Sequence, residues 1–280
     1  MSNLEHAQGR SLSEPAGAEL AGDWQLSRAR PTRWPALLIV VVILAVWEWQ
    51  VHAGAVSALF FPAPSTIAQS TVQMLITGEL LANLAATLGR ILLGGFLGGM
   101  AGLLLGLGMG WSYRVRVVVD PFVAAAHPIP KIAILPLIML IFGIGETSKI
   151  VVVALAAFFP MLIGAMSGVN QIDPIYFEVA RNYGANNARI FTRVVLPGSL
   201  PTVLAGARLA LNSALLLAIA AELFAPSQGL GKLIWFAWQT FQTEKLYASL
   251  IVIAFLGYGL NSLLQRLSRY LMPWSAERRR

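Results

Sequence analysis

The chain has 280 residues, 57% hydrophobic and only 12% charged, against about 25% charged in soluble domains. It has no cysteine, which excludes a disulfide framework, a thiol nucleophile and a thiolate metal site. The net charge of +7 does not indicate nucleic acid as a partner, because the basic residues are not interleaved with aromatics in a stripe. They flank apolar segments, as membrane topology produces, and the composition is that of an all-α polytopic membrane protein.

Residues 1–33 are polar, rich in Ser, Ala, Glu and Arg, with four acidic and four basic residues that cancel. Such a stretch buries too little apolar surface to offset its ordering entropy and reads as a disordered cytoplasmic tail. It is not a signal peptide, since no short apolar core with a small-residue cleavage site follows a basic start. From residue 34 to 272 the chain reads as one transmembrane domain with about six apolar segments, each near the length of about 20 residues needed to cross a bilayer.

The first segment covers residues 35–51. The second, 84–110, carries Gly94, Gly95, Gly98, Gly99, Gly102 and Gly106, which let neighbouring helices approach its backbone and make it a packing surface. The third, 117–142, is interrupted by Pro121, Pro128, Pro130 and Pro136. The fourth spans 147–169, the fifth 201–223 and the sixth 247–270. Trp34, Trp47, Trp49, Trp111, Trp235, Trp238 and Trp274 mostly lie near segment ends, as interfacial anchors do.

Between the fourth and fifth segments lies a polar stretch that cannot face lipid. Glu178, Arg181, Arg189 and Arg193 would each cost roughly 2.5–3.5 kcal/mol at a bilayer centre. Asp173-Pro174 supplies an N-cap followed by proline at the first helical position. The spacing predicts a helix of about nine residues to Tyr183, ended by Gly184 in the left-handed conformation. A second helix from Asn186 or Asn187 carries Ile190, Phe191, Val194 and Val195 on one side and is expected to stop at Pro197.

Orientation follows from lysine and arginine in short loops. Arg28, Arg30 and Arg33 precede the first segment, Arg114 and Arg116 follow the second, and Arg266, Arg269 and Arg278 to Arg280 close the chain. With the Arg-rich stretch around 181–193, these mark the inside. Residues 52–83 contain no lysine or arginine, and the other outer loops hold only Lys149, Lys232 and Lys245, partly offset by Glu146 and Glu244. Both termini, including a basic tail at 273–280, are therefore expected in the cytoplasm.

Few residues could carry chemistry. Gly231-Lys232-Leu233 lacks the upstream glycine and the hydroxyl of a phosphate-binding loop. The three histidines form no HExxH or comparable metal spacing, and Ser199 and Ser213 lack a nearby base. Lys131 falls near the middle of the proline-broken third segment. It reads either as an electropositive point on an anion pathway or as a side chain that snorkels or caps carbonyls freed by Pro128 and Pro130. Glu222 is expected to line the outer mouth or to pair with a cation such as Lys232, and Arg90 to pair with Glu48 or Glu79. Arg208 reads as snorkelling or as facing a subunit interface.

The stretch 172–200 resembles the EAA loop of ABC-importer permease subunits through Glu178, Ala180, Gly184 and Leu196-Pro197, with Val179 where the family usually has Ala. His127-Pro-Ile-Pro-Lys-Ile-Ala-Ile-Leu-Pro-Leu137, the Leu59-Phe-Phe-Pro-Ala-Pro-Ser65 segment, and Ala221-Glu-Leu-Phe224 followed by Gly229-Leu-Gly231 are similar to the branch that handles alkanesulfonates, taurine and nitrate. The resemblance covers residues 35–272. It implies a type I ABC importer permease fold in a bacterial inner membrane and two permease copies. It also implies cytoplasmic ATPase subunits that carry ATP-Mg, and an extracytoplasmic solute-binding protein. Glu178, Ala180, Arg181, Gly184, Ala185, Leu196 and Pro197 would couple to the ATPase. No cofactor, catalytic residue or metal site is implied on this chain. The substrate class it favours is a small anion or zwitterion, and the same kind of permease also serves neutral or heterocyclic nutrients. A secondary transporter is the competing reading; it calls for coupling-ion residues on paired broken helices in two repeats, and the sequence has one broken segment and no evident repeat.

Overall fold

A computed structural model describes residues 34–273. The tail expected at 1–33 and the basic end at 274–280, with Trp274 and Arg278 to Arg280, lie outside the described residues. All regular structure among the described residues is helical. Helix α1 (Trp34–His52) has apolar side chains around its whole circumference, as suits lipid, and belongs for most of its length to a unit distinct from the rest of the chain.

From Gln50 onward a second unit is built on three long helices: α3 (Glu79–Trp111), α6 (Glu146–Asn170) and α9 (Leu196–Phe224). Glycine decides how α3 meets α6. A Cβ on Gly98 would overlap the Ala154 carbonyl, and one on Gly102 or Gly106 would strike the Phe158 or Leu162 carbonyl. Gly94 and Gly110 face the same way, so every fourth residue from 94 to 110 is a glycine turned toward α6. Gly95 and Gly99 lie off this seam; nothing approaches within 4 Å of a Cβ built at Gly99. The expected packing surface is thus one face of the helix rather than all its glycines. On the other side of α6, Gly164 meets Gly206 of α9 so closely that a Cβ on Gly164 would stand 2.7 Å from the Gly206 Cα. Without a hydrophobic drive between helices in lipid, such backbone approach supplies the dispersion contact that holds them. Ile91, Val153, Ala157, Ala165, Ala210 and Ala214 belong to the core between these helices.

Four helical stretches of the described residues are long and apolar enough to cross a membrane: Glu79–Trp111, Glu146–Asn170, Asn187–Phe224 and Thr243–Leu271. The last is α11. The other two expected crossings differ. Leu37–His52 is a shorter apolar helix. The third segment is α4 (Tyr113–Ala126) and α5 (Leu135–Phe142), separated by residues 127–134. Pro128 and Pro130 cause the break, each lacking an N–H for the helical ladder and crowding the carbonyl four residues back. Turns take over: the Ala133 N–H donates to the Pro130 carbonyl at 2.9 Å and the Leu135 N–H to the Ile132 carbonyl at 3.2 Å. Pro136 then sits in the first turn of α5, where it is tolerated. Pro121, Pro160 and Pro201 are accommodated inside α4, α6 and α9.

Two segments read as loops contain helices, α2 (Pro64–Ile76) and α10 (Leu230–Gln239). The second helix of the polar stretch also departs from expectation. α8 (Asn187–Ile190) continues through a π turn at Phe191–Val195 into α9, so Pro197 does not stop it. The Leu196 N–H reaches back five residues to the Phe191 carbonyl. That wider turn shifts the ladder just before Pro197, which then sits in the first turn of α9 with no donor to lose.

Candidate functional site

The polar stretch between α6 and α9 folds as a closed helical corner. α7 (Pro174–Asn182) begins at Asp173, whose carboxylate accepts the Ile175 N–H at 2.9 Å. Its end is tied by two hydrogen bonds: the Gly184 N–H to the Arg181 carbonyl at 2.9 Å, and the Ala185 N–H to the Ala180 carbonyl at 3.0 Å. This paired closure requires a left-handed residue between its arms, and Gly184 has φ +73°. Four of the residues singled out from sequence, Ala180, Arg181, Gly184 and Ala185, therefore form one turn through their backbones. Asn186 then caps α8 by accepting the Arg189 N–H at 2.9 Å.

The corner has an inner and an outer side. Phe177 and Ile172 pack against the core, and Phe177 lies 6.4 Å from the Trp111 ring at the end of α3. Phe191 meets the same tryptophan edge-on at 5.7 Å. Ile175, Tyr176, Val179 and Tyr183 are exposed, Tyr183 at 88%, and Glu178 is exposed among them. Leu196 is exposed and Pro197 half-buried where α9 begins, apart from the α7 turn. The corner thus presents apolar and aromatic surface around the Glu178 carboxylate, on a base fixed to the bundle.

The opposite ends of the long helices meet in a buried ionic cluster that the sequence reading did not assemble. Arg90 of α3 binds both oxygens of Glu146, at 2.6 Å from Nε and 2.5 Å from Nη2. Its Nη1 donates to Glu222 of α9 at 2.6 Å and to the Gln228 carbonyl at 2.7 Å. Glu222 also accepts from the Thr87 hydroxyl and, at 2.9 Å, from the Gly231 N–H. Asn83 accepts the Gly229 N–H at 2.8 Å. Lys149, fully buried, donates to the Ser227 hydroxyl at 2.6 Å. Arg90 therefore pairs with Glu146 and Glu222 rather than Glu79. Glu222 is fully buried with Arg90 rather than Lys232 as its cation. The physical reason is that α9 buries its end against α3, which turns Glu222 inward. The sequence signal was Gly229-Leu-Gly231: a Cβ at either glycine would run into Glu222. Every buried side-chain polar atom among the described residues has a partner.

Lys131 lies in the α4–α5 break. It is half-buried, its ammonium donates to the His127 carbonyl, and it stands 4.6 Å from the centre of the Phe159 ring. The carbonyl it caps is that of His127, not those of Ala124 and Ala126 that Pro128 and Pro130 leave without a helical donor. Arg208 is exposed within the single chain.

Apolar helices of crossing length, glycine-mediated packing and buried charges satisfied within the bundle define a multi-pass membrane protein. Residues 98–276 match the family described as binding-protein-dependent transport system inner membrane component. The chain is 36% identical over 267 residues to the aliphatic sulfonates transport permease protein SsuC of Bacillus subtilis (strain 168), covering 94% of this chain and 97% of that one. It is 35% identical over 263 residues to the taurine transport system permease protein TauC of Escherichia coli (strain K12), covering 90% and 96%. Among solved structures, the inward-facing MetNI methionine ABC transporter aligns with a TM-score of 0.62 at 20% identity, over 70% of this chain and 97% of that one. The chain belongs to the binding-protein-dependent transport system inner membrane component family. It is an ABC importer permease subunit of the inner membrane, with the type I permease fold.

Proposed function

We propose that the chain forms the translocation pathway, with a second copy, for a small anionic or zwitterionic solute, and that the 173–197 corner receives a separate ATPase. The observation that carries this is the corner itself: an exposed apolar and aromatic face around Glu178, on a helix locked by the Gly184 turn and seated on Trp111 through Phe177. A rigid lever of this kind transmits motion of whatever grips it into α6 and α9, the helices it joins. ATP binding to the partner then shifts the chain between inward- and outward-facing forms only through contacts that differ between them. ATP-Mg belongs to that partner. Both termini and the corner lie in the cytoplasm in this reading, supported by the arginine distribution, and an extracytoplasmic binding protein delivers the solute. The relatives named for aliphatic sulfonates and taurine support a sulfonate-bearing substrate.

Tagged protein recovered in mild detergent tests the reading. A stoichiometric ATPase should co-purify, and Glu178→Ala should weaken its retention while leaving the permease in the membrane. Recovery without any ATPase, from cells whose uptake follows an ion gradient, would overturn it.

A further inference from the structure

The contacts of the α4–α5 break place it at mid-depth. The His127 ring lies 5.6 Å from the Phe159 ring, and Lys131 sits over the same ring. Phe159 is near the middle of α6, about 16–20 Å from either end at 1.5 Å per residue. At this level, after the His127 N–H bonds the Val123 carbonyl, turns replace the α-helical ladder until the Ile138 N–H bonds the Ile134 carbonyl, and His127, Pro128, Ile129, Pro130, Ile132 and Ala133 are exposed. Non-helical backbone at membrane depth is tolerated only against protein or along a water-filled cavity.

Lys131 decides between those two surroundings. A cation at mid-depth is expensive and, where it persists, marks a path for ions or solutes. Its ammonium has three N–H groups, and among the described residues of this chain its contacts are the His127 carbonyl and the Phe159 ring face. Both hold the charge in place without neutralising it. A sealed protein interface would call for a carboxylate, as Arg90 and Lys149 have with Glu146. A lone ammonium also acts as a point charge rather than a bidentate fork, so it attracts an oxyanion without trapping it, as transit requires.

We propose that residues 127–134 form a mid-membrane station for a small oxyanion of the sulfonate or nitrate type. Lys131 is its selecting charge, and the His127 carbonyl and Phe159 position that charge. The station deepens the importer reading above, and uses from it only that a solute passes along this chain.

The absence of native cysteine makes a direct test possible with the full chain in membrane vesicles. Ala133→Cys is a small change in the exposed turn and is exposed to two methanethiosulfonates of similar size, one ending in a sulfonate and one in a trimethylammonium. Rates are normalised to those with a small free thiol. Both reagents should react, the sulfonate about five- to tenfold faster, as expected for one unit charge about 7 Å away acting with opposite sign on the two. Adding Lys131→Gln should abolish the preference, and Lys131→Arg should keep it. Ile132→Cys repeats the measurement should Ala133→Cys fail to reach the membrane. No reaction with either reagent would mean a sealed segment, and equal rates would mean a wet cavity without anion selection; either overturns the proposal. Uptake that proved independent of ATP would sink the importer reading and leave this readout unchanged.

Discussion

The Glu222 carboxylate occupies the space into which a side chain at Gly229 would project, and the two are held together by Asn83, Thr87 and Arg90. Gly229 has φ +118°, and its N–H donates to Asn83. The loop from 225 to 229 and the start of α10 are thereby laid across the ends of α3 and α9. The glycines adjacent to the cluster are therefore as much a part of it as the charged residues.

Gly229→Ala meets both a disfavoured backbone conformation and the Glu222 carboxylate. Strained φ alone costs of order 1–3 kcal/mol. The expected result is a clear drop in thermal unfolding temperature of the detergent-solubilised protein, and a smaller drop when Gly229→Ala is introduced into a Glu222→Ala background, each measured against its own parent. Equal drops would mean that the carboxylate is not the obstacle.

Arg90→Ala strands Glu222 in the bundle without a cation. Removing one partner of a buried pair costs about 3–5 kcal/mol, whereas replacing both with apolar groups of similar volume is often tolerated. Arg90→Met with Glu222→Leu should therefore recover part of the stability lost in Arg90→Ala, read by the same unfolding measurement. Glu146 is more than half exposed, so Glu146→Gln should be milder than either single change at the buried pair.

The α3–α6 seam gives a contrast within one helix turn. Gly98→Leu drives a side chain into the Ala154 carbonyl, while Gly99→Leu enters open space within this chain. Overpacking of this kind costs typically 1–3 kcal/mol, and more where backbone is struck. Monodisperse yield in detergent should collapse for Gly98→Leu and hold for Gly99→Leu.

At Gly184 the obstacle is conformational, because nothing lies within 4 Å of a Cβ built there. Gly184→Val places a β-branched residue at φ +73°, where such residues are outliers. Membrane insertion should survive while substrate-stimulated ATP hydrolysis by the assembled transporter falls several-fold. Gly184→Asn, which tolerates the left-handed region, should fall less. Normal stimulated hydrolysis in Gly184→Val would remove the turn from the coupling role.

Local chemistry was legible in the sequence wherever neighbours in the chain decide the structure. Asp173-Pro174 starts α7 and Gly184 ends it, because capping and left-handed turns depend on a few adjacent residues. Pro128 and Pro130 mark the broken crossing for the same reason. Long apolar runs marked the four helices of crossing length, since the bilayer imposes length and hydropathy on each helix separately. The tertiary structure alone decided what depends on helices distant in sequence. Arg90, Glu146 and Glu222 are brought together only when α3, α6 and α9 align, and Lys131 acquires Phe159 only because α6 passes beside the break. Pro197 illustrates the same limit: its residue type predicts a stop, but a π turn upstream lets the helix continue. A charge in a membrane sequence shows that a partner or water must be found, and packing decides which.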